Sequence, residues 1–569
     1  MFRRNIRHKQ GNIFGFKNTL PTKLQKELYT SEEYKFYEII FSNIREEDFA
    51  CLYSEVDSRP NAPVNAMVSA IILMQRNNWT YRELFKEISF NLLTKTALGM
   101  NGIDELPFCM ATIFYFQNKL SEHYNKTGEN LLEKVFDNLT AKQIKELKIK
   151  TNIQRTDSLL AGSNIRNYSR LQLLVEVLQR LYRELKERDK GRFKKELEPY
   201  IGQTSEKHIY DIKATDIPHQ IETIGEIYHR LYVKLKVNYS NDPVFQIFER
   251  VYREQFKIVE NKVIVRPKEE VRSNSLQSPD DVEATYRNKN GRVSKGQSIN
   301  VVETVNTENP IELVTDVSVQ ANNIDDSEVL NRRIEIIKEK TPSISELHFD
   351  GAYGSNENDK EFEKLEITPV QTGVRGPIPS VEIKIDETKS GRYKVSCPEQ
   401  SALSGRSRKR YKVKFKMKIC AGCSLSSECT TIKQKHSRVY YFTREDYLKK
   451  KRINSINNIP EDRKKFRSNV EATISEFSRK MHNKKLKVRG FFKTTIFAFT
   501  MAISINFGRI FRYLVDLTDN FIHFVNYSSH YVKEQFNNFI NFALHFIFTL
   551  YRTFIILNTN FKPRVIVIL

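Results

Sequence analysis

The chain has 569 residues, 40% of them hydrophobic, with 92 Lys and Arg against 69 Asp and Glu, a net charge of +23. That length favours several domains with true cores, and the basic excess points to a polyanionic partner, most simply nucleic acid. Six cysteines in so long a chain exclude a disulfide-stapled scaffold, and without a P-loop, GxSxG or GxGxxG pattern nucleotide hydrolysis, serine hydrolysis and dinucleotide binding lack support.

The N-terminal stretch MFRRNIRHKQGNIFGF is basic and has no apolar run after it, so it is not a secretory signal, and a cytoplasmic, DNA-associated location is expected. Residues 1–146 read as helical. PVNAMVSAIILMQRN carries apolar residues at helical spacing. Thr80 then opens TYRELFKEI with Glu83 three residues on, a capping-box pattern that turns Tyr81, Leu84, Phe85 and Ile88 toward a core. Short helices around Trp79 suit a helix-turn-helix-like DNA reader, or else a purely structural helical domain. Cys51 and Cys109 stand alone as ordinary thiols.

A first strand over residues 147–160 carries Asp157 in IKTNIQRTDS. Residues 164–279 form a helical insertion. Its SRLQLLVEVLQRLYREL begins at an N-capping Ser169 and lines Leu171, Leu174, Val177, Leu178 and Leu181 along one face, a core stripe without chemistry. From Asp280 the pattern turns to strands, INVVETV and IELVTDVSV joined by NTENP. DDSEVLNRRIEIIKEK is a helix with acids at its start. ELHF leads into Asp350, NENDKEFEKL is a helix and ITPVQT a strand. Asp280, Asp281, Asp316, Asp325 and Asp326 read as turn and N-cap groups.

Residues 374–454 form a second, basic and Cys-rich insertion. Within RSRKRYKVKFKMK, Lys412, Lys414, Lys416 and Lys418 alternate with Val413, Phe415, Met417 and Ile419, which on a strand puts all the lysines on one face. Such a strand is either a lysine-protected edge or a track for phosphates. Cys397, Cys420, Cys423 and Cys429 include a C-x₂-C pair, and four thiolates suit a structural Zn²⁺, with His436 in reserve; the other reading is four reduced thiols in a loop-rich subdomain. Residues 455–512 return to helix, with Glu471 in RKKFRSNVEATISEFSRK. Residues 513–569 are rich in Phe, Asn and Ile. FINFALHFIFTLYRTFIIL is nearly long enough to span a bilayer, but Arg552 alone would cost about 2.5–3.5 kcal/mol on insertion, so a membrane role is not expected.

Asp157, Asp350 and Glu471 lie 193 and 121 positions apart. Two divalent metals need such carboxylates for phosphoryl transfer, and Mg²⁺ keeps several waters, so few are required. The segments TDSLLAGSNIRNYSRLQLLVEVLQRL, DDVEATYRNKNG, LVTDVSVQANNIDDSEVL, HFDGAYGS and RSNVEAT resemble the DDE transposases of bacterial insertion sequences, most nearly the "eleven-eighty-two" family, over about Ser31 to Arg512.

The resemblance implies a multidomain α+β or α/β protein. A helical N-terminal domain binding element ends would precede a ribonuclease-H-like mixed-sheet core (147–163, 280–373 and 455–512) interrupted by the two insertions. It implies a transposase that cuts element ends and joins them to target DNA with Mg²⁺ or Mn²⁺ on Asp157, Asp350 and Glu471, as a homodimer on double-stranded DNA with no small-molecule substrate. A Tyr, Arg, Glu, Lys signature is matched at Arg467 and Glu471; Lys464 stands at the Tyr position and Ser478 at the final Lys, next to Arg479 and Lys480. Arg467, Arg479, Lys480, Lys412, Lys414 and Lys416 are the expected DNA contacts. A ribonuclease-H-like nuclease without integration would use the same acids, and the unusual tail and incomplete signature leave an inactive DNA-binding remnant as a further reading.

Overall fold

The computed structural model describes residues 1–10, 14–56, 59–289, 291–373, 380–407, 409–456, 459–460, 463 and 466–557, in two compact units, Met1–Phe507 and Gly508–Leu569. In the first unit, helix Val64–Asn77 is buried from Val64 through Met74 and ends on Asn78 in the left-handed conformation, φ 57°. Thr80 caps the next helix, Tyr81–Phe90, with the reciprocal Glu83 bond read from the sequence. Leu84 and Ile88 are buried and Tyr81 and Phe85 half-buried, while Arg82, Lys86 and Phe90 face solvent.

The central sheet is built from β1 (Ile153–Gly162), β4 (Thr285–Lys289), β5 (Arg292–Thr304), β6 (Val314–Ala321), β7 (Glu346–Phe349) and β8 (Thr368–Gln371), with β2 (Phe256–Val259) and β3 (Lys262–Val265) forming a separate hairpin. Its order is β4-β5-β1-β7-β8, with β6 also on β5. β5 runs antiparallel to β1 and β6 antiparallel to β5, whereas β7 and β8 run parallel to β1. Between β1 and β4 the chain folds into helices with a core of their own, where Leu174, Leu178, Tyr228, Leu231, Phe245 and Phe248 are fully buried.

Side chains alternate along a strand, so the sheet has two distinct faces. On one, Leu347 and Phe349 meet Leu330, Ile334 and Ile337 of helix Asp326–Lys340. On the other, Ile153 meets Phe466 at the start of helix Phe466–Ser478. That helix is fastened by a buried ion pair. Arg155 Nε donates to Glu303 Oε1 at 2.8 Å, with the two side chains 6% and 0% exposed. Arg155 also donates to the Phe466 carbonyl at 2.6 Å, and the Thr473 hydroxyl donates to Glu303 at 2.7 Å.

A second charge network joins helix Leu131–Glu146 to the sheet. Arg333 reaches Asp316 (2.7 Å) and Glu133, and Lys340 reaches Glu133, Asp137 and Asp316 at 2.8–2.9 Å. Asp316 is therefore not the turn residue expected from the sequence: it lies inside β6, 1% exposed. Burial pushes its carboxyl up, but Arg333 and Lys340 prevail and hold it below the usual range. Asp137 is less well served, and burial pushes its carboxyl up to about 6 against Lys340.

Past β8 come a three-stranded sheet, β9 (Lys384–Glu387), β10 (Tyr393–Ser396) and β11 (Ser401–Leu403), and a four-stranded one ordered β12-β13-β15-β14. The latter comprises β12 (Gly405–Ser407), β13 (Arg410–Lys416), β14 (Ile432–Lys433) and β15 (Ser437–Phe442). β13 is flanked by β12 and β15 and so is not an edge. It ends at Lys416, and Lys418 lies on the short helix Met417–Ala421, so the lysine alternation stops one residue pair early. There the Gln400 side-chain amide closes on Lys416, its Oε1 accepting the Lys416 N–H at 2.9 Å and its Nε2 donating to the Lys416 carbonyl at 3.3 Å.

The chain closes with helix Phe491–Leu557. Within the first unit this helix is apolar all round and correspondingly buried: Phe499 packs on Phe136, Phe507 on Phe36, and Asn506 bonds both the N–H and C=O of Val314 at 2.8 Å. The segment Phe491–Asn520 has the length and apolarity to cross a membrane, with 89% of its apolar window buried in the protein. In the second unit Phe542, Leu544, Phe546 and Ile547 are exposed.

Arg155→Ala leaves the Glu303 carboxylate buried without its guanidinium and should cost about 3–5 kcal/mol; replacing both partners, Arg155→Met with Glu303→Leu, should recover most of it in urea unfolding. For Asp137 the folded state favours the protonated acid, so its stabilising effect is full below the unfolded value near 3.8 and lost as pH rises through about 6. Asp137→Asn should therefore flatten the fall in Tm between pH 5 and pH 8, raising Tm mainly at the alkaline end.

Candidate active site

The pairing of β1 with β7 runs from Ile153 opposite Glu346 to Arg155 opposite His348. Asp157 and Asp350 each lie two residues beyond the end of that pairing. Alternation puts both on the face of Ile153, Arg155 and His348, the face covered by helix Phe466–Ser478, whose Phe466 ring lies 5.4 Å from that of His348. Each carboxylate has its rotation set by a backbone N–H: Ser158 donates to Asp157 Oδ1, and Ala352 to Asp350 Oδ1, both at 2.8 Å. Asp350 is also the N-cap of the 3₁₀ turn Gly351–Tyr353.

Phe466, Val470, Thr473 and Phe477 bury the inner side of the glutamate helix, and Glu471 follows Val470 on the exposed side. The helix starts beside Arg155, and the segment after it pairs with Gly162, so it runs alongside β1 in the same direction. Glu471 lies about 7 Å along the helix from Phe466, and Asp157 lies about 7 Å along the strand from Arg155. Among the described residues no three Asp, Glu, His or Cys side chains are spaced to hold one metal ion as they stand. As a donor set, paired carboxylates with a third on an adjoining helix fit a hard divalent cation such as Mg²⁺.

Beneath the aspartates, on the opposite face, lies a buried polar group that the sequence reading did not identify. The Tyr353 hydroxyl donates to Asn300 Oδ1 at 2.6 Å, and Asn300 Nδ2 donates to the Thr156 hydroxyl at 3.1 Å. Ser158 donates to Asp326 at 3.0 Å, and Arg287 pairs with Asp326 at 3.2 Å. Burial, then the charges of Asp326, Asp157 and Asp350, push the Tyr353 phenol well above its ordinary value, so it stays a proton donor. Asp325 is the helix N-cap expected, but Asp326 points inward and is 3% exposed. The doubled acid in IDDSEVL was the available signal: one Asp serves the cap and its neighbour faces elsewhere.

The basic residues divide. The Arg467 side chain and Lys464 lie outside the described residues. Arg479, Lys414 and Lys416 are exposed, and Lys412 is half-buried with its ammonium 5.6 Å from the Tyr441 ring centre. Lys480 is half-buried and donates to the Arg76 carbonyl, and Lys487 donates to that of Asn78 at 2.8 Å. Both close the C-terminus of helix Val64–Asn77, where a positive charge suits the helix dipole. Burial, and then Arg76 and Arg479, lower the Lys480 ammonium.

Cys397, Cys420, Cys423 and Cys429 line one cavity of about 20 Å³ with Gln400 and Arg438. That space fits one water-sized body. Gln400 donates to Cys420 Sγ at 3.1 Å, and Cys429 Sγ lies 3.1 Å from the Thr431 hydroxyl. Burial pushes the Cys420 thiol up, against Arg438. His436 is exposed between β14 and β15 and takes no part in this lining, so the reserve ligand expected from the sequence falls away.

Two family models match the chain: "Transposase DDE domain" over residues 392–511, and "Transposase domain (DUF772)" over residues 28–119. The first takes in the four cysteines and Glu471; the second spans the capped helices around Thr80. Neither a curated protein nor a solved structure matches. The two matches lie on either side of the central sheet, and together they support an insertion-sequence DDE transposase.

Proposed function

We propose that this transposase cleaves DNA at the ends of its element and joins the freed 3′ ends to target DNA, using Asp157, Asp350 and Glu471 on a ribonuclease-H-like core. The observation that supports the reading is the parallel pairing of β1 with β7, which ends two residues short of Asp157 and Asp350 on the face where Phe466 of the Glu471 helix packs. The strand order supports the core assignment: β6-β5-β1-β7-β8 is 3-2-1-4-5 in order of appearance once the insertions and β4 are set aside, with only the second strand reversed.

The two aspartates, oriented by the Ser158 and Ala352 N–H groups, would hold Mg²⁺ or Mn²⁺ from the sheet, and Glu471 would complete the set from the helix. When bound, such ions activate the attacking hydroxyl and steady the leaving 3′ oxygen. The protein's part is to position the phosphate and balance its charge. Because strand transfer reuses the geometry of cleavage, the same three residues serve both steps. Arg467 and Arg479, on and just past the glutamate helix, would neutralise the flanking phosphates. Lys412, Lys414 and Lys416 would follow the backbone further out without reading sequence. Lys480 contributes instead by closing helix Val64–Asn77, and end recognition falls to the helix after it, whose Arg82 and Lys86 face solvent. The four cysteines would hold a structural Zn²⁺ that keeps the turn after β10 against the short helix before β14; their convergence on one small cavity supports this. Action as a homodimer on double-stranded DNA in the cytoplasm completes the reading.

Replacing Asp157, Asp350 or Glu471 singly with Ala should abolish Mg²⁺-dependent cleavage of an end-containing duplex while binding persists; cleavage surviving in any of the three rejects the assignment, and cleavage without joining by the parent chain leaves a nuclease. Changing Lys412, Lys414 and Lys416 together to Ala should flatten the salt dependence of binding by about 0.9 in log–log slope per lost phosphate contact. Metal analysis should return one zinc per chain, lost on Cys420→Ser with Cys423→Ser.

A further inference from the structure

We infer that Tyr353 is a positioning residue that fixes the separation of Asp157 and Asp350 by tying the turn after Asp350 to the strand residue before Asp157. This inference rests on the reading of the two aspartates as metal-holding groups.

The tie is short and enclosed. Tyr353 is the last residue of the turn that Asp350 caps, and its own N–H returns to the Asp350 carbonyl at 3.3 Å. Its ring is 1% exposed and packs near Phe349, with ring centres 6.2 Å apart. Its hydroxyl donates to Asn300 Oδ1 at 2.6 Å, and Asn300 passes the link to Thr156 at 3.1 Å. Thr156 immediately precedes Asp157 and is fully buried, as Asn300 nearly is. On the other side the turn is held by Asn358, whose Nδ2 donates to the Tyr353 carbonyl at 2.7 Å and to the Ser327 carbonyl at 2.9 Å.

The ladder between β1 and β7 stops at Arg155 and His348, so although Asp157 stays paired with Val301 of β5, no pairing between β1 and β7 reaches the two aspartates. Beyond that point the β1–β7 ladder does not fix the distance of the Asp350 turn from β1. The Tyr353–Asn300–Thr156 link spans that gap on the face away from the metals, where it can set spacing without occupying a ligand position. Its groups are buried, so water does not replace a missing partner. Supporting residues of this kind typically alter metal affinity by about 10–100-fold.

The test uses the full chain with Tyr353→Phe and, at the far end of the link, Thr156→Val. Metal affinity is read without catalysis, from the rise in Tm with added Mg²⁺, and separately from the Mg²⁺ dependence of end cleavage. Both variants should keep the metal-free Tm within a few degrees and bind duplex as the parent does. Both should need about tenfold more Mg²⁺ for half-effect in each assay, with the cleavage rate recovering at saturating Mg²⁺. Unchanged Mg²⁺ curves overturn the inference, as does a fall in rate that saturating Mg²⁺ does not restore. A variant unable to fold without metal overturns it too, since the hydroxyl would then be serving stability. Asp350→Ala runs alongside: if it still cleaves, or still gains Tm from Mg²⁺ as the parent does, the underlying site is misassigned, a result distinct from failure of the link alone.

Discussion

The glutamate helix lies on the sheet because a guanidinium and a carboxylate are buried together beneath it. Arg155 and Glu303 face each other across β1 and β5 with almost no exposure, and both reach upward, one to the Phe466 carbonyl and the other to the Thr473 hydroxyl. A buried pair is a poor source of net stability, because desolvation cancels much of the attraction. Its value here is geometric. The pair accepts a helix that offers one carbonyl and one hydroxyl seven residues apart, two turns along the same face, and a helix slipped by a residue would strand two charges in an apolar layer. Apolar contacts from Phe466, Val470 and Phe477 supply adhesion but little register. The position of Glu471 relative to the strands therefore depends on an interaction that contains none of the three acids.

The sheet acts on the two aspartates in a similar way. Neither side chain is long or flexible; each has its carboxylate turned by a backbone N–H one or two residues beyond it, Ser158 for Asp157 and Ala352 for Asp350. Underneath, hydroxyl and amide groups replace the apolar side chains that fill the rest of that face. Such a polar layer is stable only when its members are paired, and the bonds among Tyr353, Asn300, Thr156, Ser158 and Asp326 meet that condition.

Much of this was legible in the sequence where local chemistry decides structure. The Thr80 capping box, the Ser169 N-cap and the Leu stripe after it, and the strand leading into Asp350 appear as read, because capping and periodicity act over a few residues; the strand expected over 147–160 instead starts at Ile153 and carries Asp157 at its middle. Long-range pairing was not legible. Asp316 resembled a turn acid, but two cations from helix Asp326–Lys340 make it tolerable inside a strand. The alternation from Lys412 predicted a strand through Lys418, and the side-chain amide of Gln400, sixteen residues earlier, bonds both the N–H and the C=O of Lys416, where the strand ends. Lys480 looked like a phosphate contact by position, yet its partner is a carbonyl some four hundred residues earlier, which no local pattern announces.

The apolar start of the last helix has a consequence for how the protein is made. Residues Phe491–Phe507 are the final part of the first unit to leave the ribosome, yet they supply the surface on which Phe36, Phe136 and β6 close. Until then the N-terminal helices lack their main apolar partner, and the glutamate helix, emerging only shortly before, has little time on a finished sheet. Native packing of the first unit thus waits until this helix has been made. A nascent or prematurely terminated chain would hold the two aspartates without the complete body around them, so competence to act on DNA arrives in one late step.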